Sequence, residues 1–302
     1  MKENNENGNI VKKVSVISVL TNLFLLCIKL MVSIMSKSQA MLADSLNSAG
    51  DIVASIVSYI GAKISSKPQD LDHPHGHGKA EYIFSAVISL CMIVASLSMI
   101  VSSISSIIYR ESLEFSYKLI VICLITIITK FILFLYTKHQ LKKKNSILIK
   151  ANNEDHRNDI FVTLGTLLGI CCSALGFYYA DGIIGILISI WIMYVGVKLF
   201  LSAYKILMDT SLDQEKLNDI IAFIEKDDDI LHVDSIVSKP IGENYIIIVK
   251  LSMDGMLTLD YVHKVIGKIK NEIVNNYDFI SDVIIHANPH WYIVNFYFNM
   301  LY

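Results

Sequence analysis

Apolar residues gather in six long runs, at about 14 to 35, 40 to 64, 82 to 108, 116 to 138, 156 to 178 and 181 to 203, separated by short polar strings. A helix needs roughly 20 residues to cross a hydrocarbon core, so each run is long enough to span a bilayer. The first is too long for a cleaved leader and lacks a small-residue cleavage pattern. After Tyr204 the pattern changes. Ser211-Leu-Asp-Gln214 reads as a capping box before Leu217, Ile220, Ile221 and Ile224 at helical spacing. His232 to Lys239 and Tyr245 to Met253 read as two strands about a turn at Gly242, the second with Tyr245, Ile247, Val249, Leu251 and Met253 alternating. Thr258 can cap a helix bearing Leu259, Val262, Ile266, Ile269 and Ile273, and Phe279 to Ala287 gives a third strand.

The predicted fold is therefore a polytopic α-helical membrane protein: six transmembrane helices followed by a C-terminal α+β domain of order αββαβ, ferredoxin-like. The expected divisions are an N-terminal segment (1–13), a six-helix transmembrane domain (14–208), the α+β domain (209–289) and a tail (290–302). The tail is strongly aromatic and too short to span as a helix. It suits the membrane interface, packing on the helices, or a partner surface.

Composition agrees with the pattern. Among 302 residues, 53% are hydrophobic and 18% charged, and the mean hydropathy of +0.51 excludes an ordinary soluble protein. A net charge of −2, with no basic groove, gives no sign of a nucleic-acid partner. Lys2, Lys12 and Lys13 precede the first run, Lys67 and Lys79 follow the second, and Lys142, Lys143, Lys144 and Lys150 follow the fourth. The other side offers mainly Lys37 and Arg110, so both termini are expected in the cytoplasm. Cys27, Cys91, Cys123, Cys171 and Cys172 fall inside apolar runs without paired CxxC spacing, as small apolar filler does.

Chemistry enters where polar groups interrupt these runs. Asn47 and Asp51 stand one helical turn apart, as do Asp155 and Asp159, so each pair shares a helix face and can aim oxygens at one point. Intramembrane carboxylates are functional by default. Lys29 and Lys130 also lie in apolar runs, where they can snorkel or pair with a carboxylate. Asp44, a turn before Asn47, can relay ions or protons or cap its helix. Between the second and third runs, Asp70, Asp72, His73, His75 and His77 form either a candidate metal group or a flexible polar loop. His232, His263 and His286 can converge in the α+β domain or stand apart, and Asp227-Asp228-Asp229 reads as a solvated turn or a weak cation site.

Taken in order, Ala43-Asp44-Ser-Leu-Asn47-Ser-Ala-Gly-Asp51, His73-Pro-His-Gly-His77-Gly-Lys-Ala-Glu81, Asp155-His-Arg-Asn-Asp159 and the αββαβ tail domain make the chain resemble the cation diffusion facilitator family, from about residue 14 to Pro289. The resemblance implies export of a divalent transition-metal ion in exchange for protons, by a homodimer in the cell membrane with cytoplasmic metal-sensing tail domains. It implies no enzyme and no cofactor beyond the transported metal and regulatory Mn²⁺ or Zn²⁺. Position by position it assigns a transport site to Asn47, Asp51, Asp155 and Asp159, a loop site to Asp70, His73 and His77, and a tail site to His232, His263 and His286. Zinc-transporting relatives carry Asp where this chain has Asn47 and His where it has Asp155, and often His and Asp in place of Lys250 and Asn288. An all-oxygen set suits a harder ion, and the Asn-x-x-x-Asp and Asp-x-x-x-Asp pair resembles the manganese-handling branch, with Fe²⁺, Co²⁺ and Zn²⁺ behind. Three carboxylates converging out of water cannot all stay charged once the metal leaves, so release should accompany proton uptake. A membrane metalloenzyme is disfavoured by the lack of HExxH spacing, and a non-transporting metal sensor remains the other rival.

Overall fold

A computed structural model describes the backbone of residues 2–36, 39–109, 117–174, 177 and 179–290, with side chains described in these ranges except at 2–8, 33–36, 39–47, 119, 166, 170, 173–174 and 180–181. The side chains of Lys37, Asp44, Asn47 and Arg110, and the aromatic residues 291–302, therefore lie outside the described residues. The chain divides into two compact units, Met1–Leu207 and Met208–Tyr302.

The first unit is a bundle of α1 (Lys2–Ser36), α2 (Gln39–Ser65), α3 (Ala80–Tyr109), α4 (Tyr117–Lys143), α5 (Ile147–Ala174) and α6 (Ala180–Leu207). α1 packs on α2, α3 on α6 and α4 on α5, and α5 also touches α1, α2, α3 and α6. Among the described residues, four helices are long and apolar enough to cross a membrane: α1 over Asn9–Val32, α3, α4 over Ile120–Lys143, and α6 over Gly182–Leu207. The other two, α2 and α5, carry the polar strings. They match the rest in length, since a helix of 27 residues reaches about 40 Å at 1.5 Å per residue.

Burial in this unit runs opposite to that of a water-soluble bundle. On α1, Ser15, Ser18 and Asn22 are 0% exposed while Leu20 and Phe24 are 61% and 57% exposed. On α3, Ser85, Ser89 and Ser96 are buried and Val94 and Val101 face outward. Apolar surface turned out around a polar interior is stable against lipid, where backbone bonds close within each helix and small residues let helices approach. Gly196 shows how close: a Cβ there would sit 3.0 Å from Ile93 Cγ1 and 3.3 Å from the Ser89 carbonyl.

Composition places the fifth span from about 156, but α5 begins at Ile147. Its start is fixed by polar bonds that hydropathy does not register. Ser146 Oγ accepts from the Ile149 amide (3.3 Å) and donates to buried Glu81 of α3, whose carboxylate also takes the Leu148 amide at 3.4 Å. The extension brings Lys150 into the helix and puts Asp155 and Asp159 near its middle.

The second unit holds α7 (Gln214–Ile224), β1 (His232–Ile241), β2 (Asn244–Asp254), α8 (Leu259–Asn276) and β3 (Ile280–His290). The sheet order is β1-β2-β3, with β1 antiparallel and β3 parallel to β2. Ile247, Val249, Leu251 and Met253 alternate into a core shared with Ile220 and Ile224 of α7 and Val265, Ile269 and Ile273 of α8. Gly242 takes φ of 67° in the β1–β2 turn, and Thr258 caps α8 by accepting from the Tyr261 amide at 3.4 Å. The capping box expected at Ser211 does not form. Ser211 Oγ instead bonds Ser238 Oγ of β1 at 2.8 Å, Ser238 Oγ also takes the Leu212 amide, and α7 starts after Asp213, whose side chain makes no capping bond.

Ser146→Ala should destabilise the helical unit by about 1–2 kcal/mol, the usual range for a lost cap. A lower thermal-unfolding midpoint of the detergent-solubilised protein would register it; an unchanged midpoint would show that α5 is not anchored there.

Candidate metal site

Asp51 of α2 and Asp159 of α5 lie roughly midway along their helices, 8% and 9% exposed. Both accept from one ammonium. Lys130 of α4, 1% exposed, reaches Asp51 Oδ2 at 2.9 Å and also bonds Asp159 Oδ2. Of the two alternatives for Lys130, snorkelling is thus excluded: its charge is turned inward and paired. Asp155, one turn before Asp159, lies within electrostatic reach of Asp159, Asp51 and Lys130. Lys29 of α1 donates to Ser48 Oγ at 3.0 Å and lines the same small cavity as Asp51, Thr126, Lys130 and Asp159.

A polar ladder holds these helices in place. Ser15 bonds Ser58 at 2.9 Å, Ser58 accepts from Asn152 at 2.7 Å, and Asn153 donates to Thr137 Oγ1 at 2.8 Å and to the Phe134 carbonyl at 2.9 Å. Bonds of this kind knit α1, α2, α4 and α5 where few apolar contacts would give direction.

Among the described residues, three or more metal-ligating atoms lie within 4.8 Å of one another in two places: Asp155, His156 and Asp159, and Asp70, His73 and His77. The first group adds a nitrogen beside two of the expected oxygen ligands. His156, fully buried, brings an imidazole beside the two carboxylates; its Nε2 lies 3.0 Å from Ser18 Oγ, and its Nδ1 has no hydrogen-bond partner. Sequence spacing passed over it, because adjacent helical residues point about 100° apart.

The loop group is assembled by its own turn. The Gly76 amide donates to the His73 carbonyl at 2.9 Å, with Gly76 in the left-handed region at φ of 80°. This brings the His73 and His77 rings together, centroids 4.3 Å apart and tilted by 42°, and Asp70 lies 3.1 Å from His73 Nδ1 and 3.5 Å from His77 Nε2. The His73 backbone amide holds the Asp70 carboxyl below the usual carboxylate range, so it stays anionic at neutral pH. His75 is exposed and outside the group. Glu81, part of the same string, is committed to α5 as described.

His232, His263 and His286 do not form such a group within one chain. His286 pairs in register with Lys250, whereas His232 pairs with Ser252, itself beside Asn288, so the histidines occupy different rows of the sheet. His263 lies exposed on α8. The row of His232 is closed by Asp234, which takes bonds from Asn288 Nδ2 at 2.7 Å and Ser252 Oγ at 2.9 Å and lies 2.7 Å from His232 Nε2. Asn288, then Ser252 and His232, hold the Asp234 carboxyl below its ordinary range. All five cysteines are free.

Comparison with known proteins covers both units. A family model of the cation efflux transmembrane domain matches residues 15–208, and one of the cation efflux protein cytoplasmic domain matches residues 212–290. The manganese efflux system protein MneP of Bacillus subtilis is 32% identical over 293 residues, 95% of this chain and 98% of that protein. The cation-efflux pump FieF of Shewanella oneidensis is 27% identical over 92% of this chain and 94% of that one. The metal-bound C-terminal domain of the CzcD transporter from Thermotoga maritima is 26% identical, covering 26% of this chain and 94% of that one, with a TM-score of 0.24. With both family models in chain order and two carboxylate-bearing helices joined inside a lipid-facing bundle, the chain belongs to the cation efflux family of multi-pass membrane transporters, which are not enzymes.

Proposed function

We propose that the protein exports Mn²⁺ from the cytoplasm in exchange for protons, as a homodimer in the plasma membrane with both termini cytoplasmic. Asn47, Asp51, Asp155 and Asp159 form the transport site. The observation that carries this reading is the meeting of Asp51 and Asp159, from two helices, on a single buried positive charge. A site that already neutralises a cation at the bundle centre has the charge and shape to hold another. Further support is the identity to MneP, whose name records manganese efflux. Carboxylates suit the harder ion, and the lysines beside the α2–α3 and α4–α5 connections favour the stated orientation.

Coupling follows from charge. A dication held by Asp51, Asp155 and Asp159 leaves excess negative charge behind when it departs, in a poorly solvated region, and protons are the available replacement. Alternating exposure of the site to the two membrane faces lets an inward proton gradient drive the metal outward. Asp70, His73 and His77 deliver metal towards the transport path, and the region of His232, His263 and His286 senses cytoplasmic metal, Mn²⁺ or Zn²⁺.

A second reading, Zn²⁺, Fe²⁺ or Co²⁺ as cargo, is favoured by one observation. His156 adds a borderline nitrogen to Asp155 and Asp159, and imidazole suits these ions better than Mn²⁺.

In vesicles under an imposed pH gradient, Asp51→Asn and Asp159→Asn should each reduce metal flux at least about 100-fold, since even indirect supports of a metal ligand are worth roughly 10- to 100-fold. Flux at the unaltered level would refute the transport site, and metal binding retained by the tail domain would separate transport from sensing. Comparing Mn²⁺ with Zn²⁺ flux decides the cargo. Asp155→His should move the ratio towards Zn²⁺ and His156→Gln should move it towards Mn²⁺; ratios that stay put would show that neither residue sets preference.

A further inference from the structure

We propose that Lys130 is a tethered counter-cation: in the metal-free protein its ammonium sits where the carboxylate oxygens of Asp51 and Asp159 converge, and the incoming metal must displace it. The inference rests on Asp51 and Asp159 being metal ligands and adds a competitor built into the chain.

The geometry distinguishes this from an ordinary structural ion pair. Lys130 comes from a third helix, α4, and bonds one oxygen of each carboxylate, Asp51 Oδ2 and Asp159 Oδ2. Those two oxygens therefore face a common point, and Nζ stands on it. The cavity beside them is about 10 Å³, no more than a single water requires. A dication gripped by both of these oxygens takes the point at which the ammonium stands, and mutual repulsion of the two cations expels the ammonium.

The chain also supplies somewhere for the ammonium to go. Thr126 stands one turn earlier on α4, lines the same cavity and is 1% exposed, and among the described residues its hydroxyl has no hydrogen-bond partner. A buried hydroxyl without a partner is unfavourable. Lysine suits the exchange because its charge is compact and its stem has four flexible carbons, where a guanidinium fork would hold both carboxylates rigidly. Displaced from the aspartates, the ammonium can bond Thr126 Oγ1 without leaving the bundle.

The test is Mn²⁺ binding to the purified full-length protein in detergent at pH 8, where protons compete least. Lys130→Met should bind roughly tenfold more tightly than the unaltered protein, because the competitor is gone. Thr126→Val should bind several-fold more weakly, with the metal-free melting temperature unchanged or raised. A Lys130→Met protein that binds equally or more weakly, while Asp159→Asn abolishes binding, overturns the counter-cation and leaves the ligand assignment standing. Asp159→Asn binding as the unaltered protein does would overturn the ligand assignment itself. Should Lys130→Met fail to fold, Thr126→Val decides: weakened binding supports the displacement and unchanged binding overturns it.

Discussion

A bare charge inside a membrane bundle is tolerated only beside its opposite, and Lys130 with Asp51 and Asp159 is where this chain satisfies that condition. The three residues come from α4, α2 and α5, so one buried bridge ties three helices. Removing one partner of a buried pair typically costs about 3–5 kcal/mol, because the survivor is left uncompensated. The bridge thus gives the bundle its registry and holds two carboxylates aimed at one point. The serine and asparagine ladder from Ser15 through Ser58 to Asn152 extends the same principle along the helices. In lipid, where apolar contact gives helices little preference for one another, such polar bonds decide which faces meet.

Because the polar groups turn inward, hydropathy reads the helices well and their polar ends badly. α3 and α6 fall within a few residues of their expected limits, since their termini are set by where apolar residues stop. The start of α5 was not legible, because it depends on Glu81, distant in sequence, reaching Ser146. The failure at Ser211 has the same origin: a local capping pattern lost to a bond with Ser238 on the neighbouring strand. In the tail domain, strict alternation along β2 made the core face plain, and Thr258 stood alone as a capping residue, so both could be read locally.

The site was legible as spacing and only partly as composition. One helical turn between Asp155 and Asp159 suffices to put them on one face, and the turn at His73–Gly76 brings His73 and His77 onto Asp70 as their clustering implied. Two contributors escaped that logic. His156 adjoins Asp155, where helix geometry argues for a different face, yet its ring reaches the same cluster. Lys130 stood in an apolar run with pairing left open, and no spacing rule names a partner on another helix.

On the proposed transport site, Lys130 and His156 would divide the problem of choosing an ion. An ion entering the carboxylates must release an ammonium of charge +1, so a monovalent metal ion replaces one unit charge by another and gains little. A dication gains about twice the Coulomb energy against the same oxygens, set against a larger cost of leaving water. On the proposed displacement, the ammonium would discriminate by valence rather than by element. Among dications a carboxylate site still follows the Irving–Williams order, which places Mn²⁺ below Fe²⁺, Co²⁺ and Zn²⁺. An imidazole within reach steepens that order, whereas an aspartate at position 155 supplies oxygen for ions of higher coordination number. On the proposed reading, preference for Mn²⁺ requires the His156 ring, bonded to Ser18 through Nε2 at 3.0 Å, to keep its other nitrogen, Nδ1, from ligating the ion.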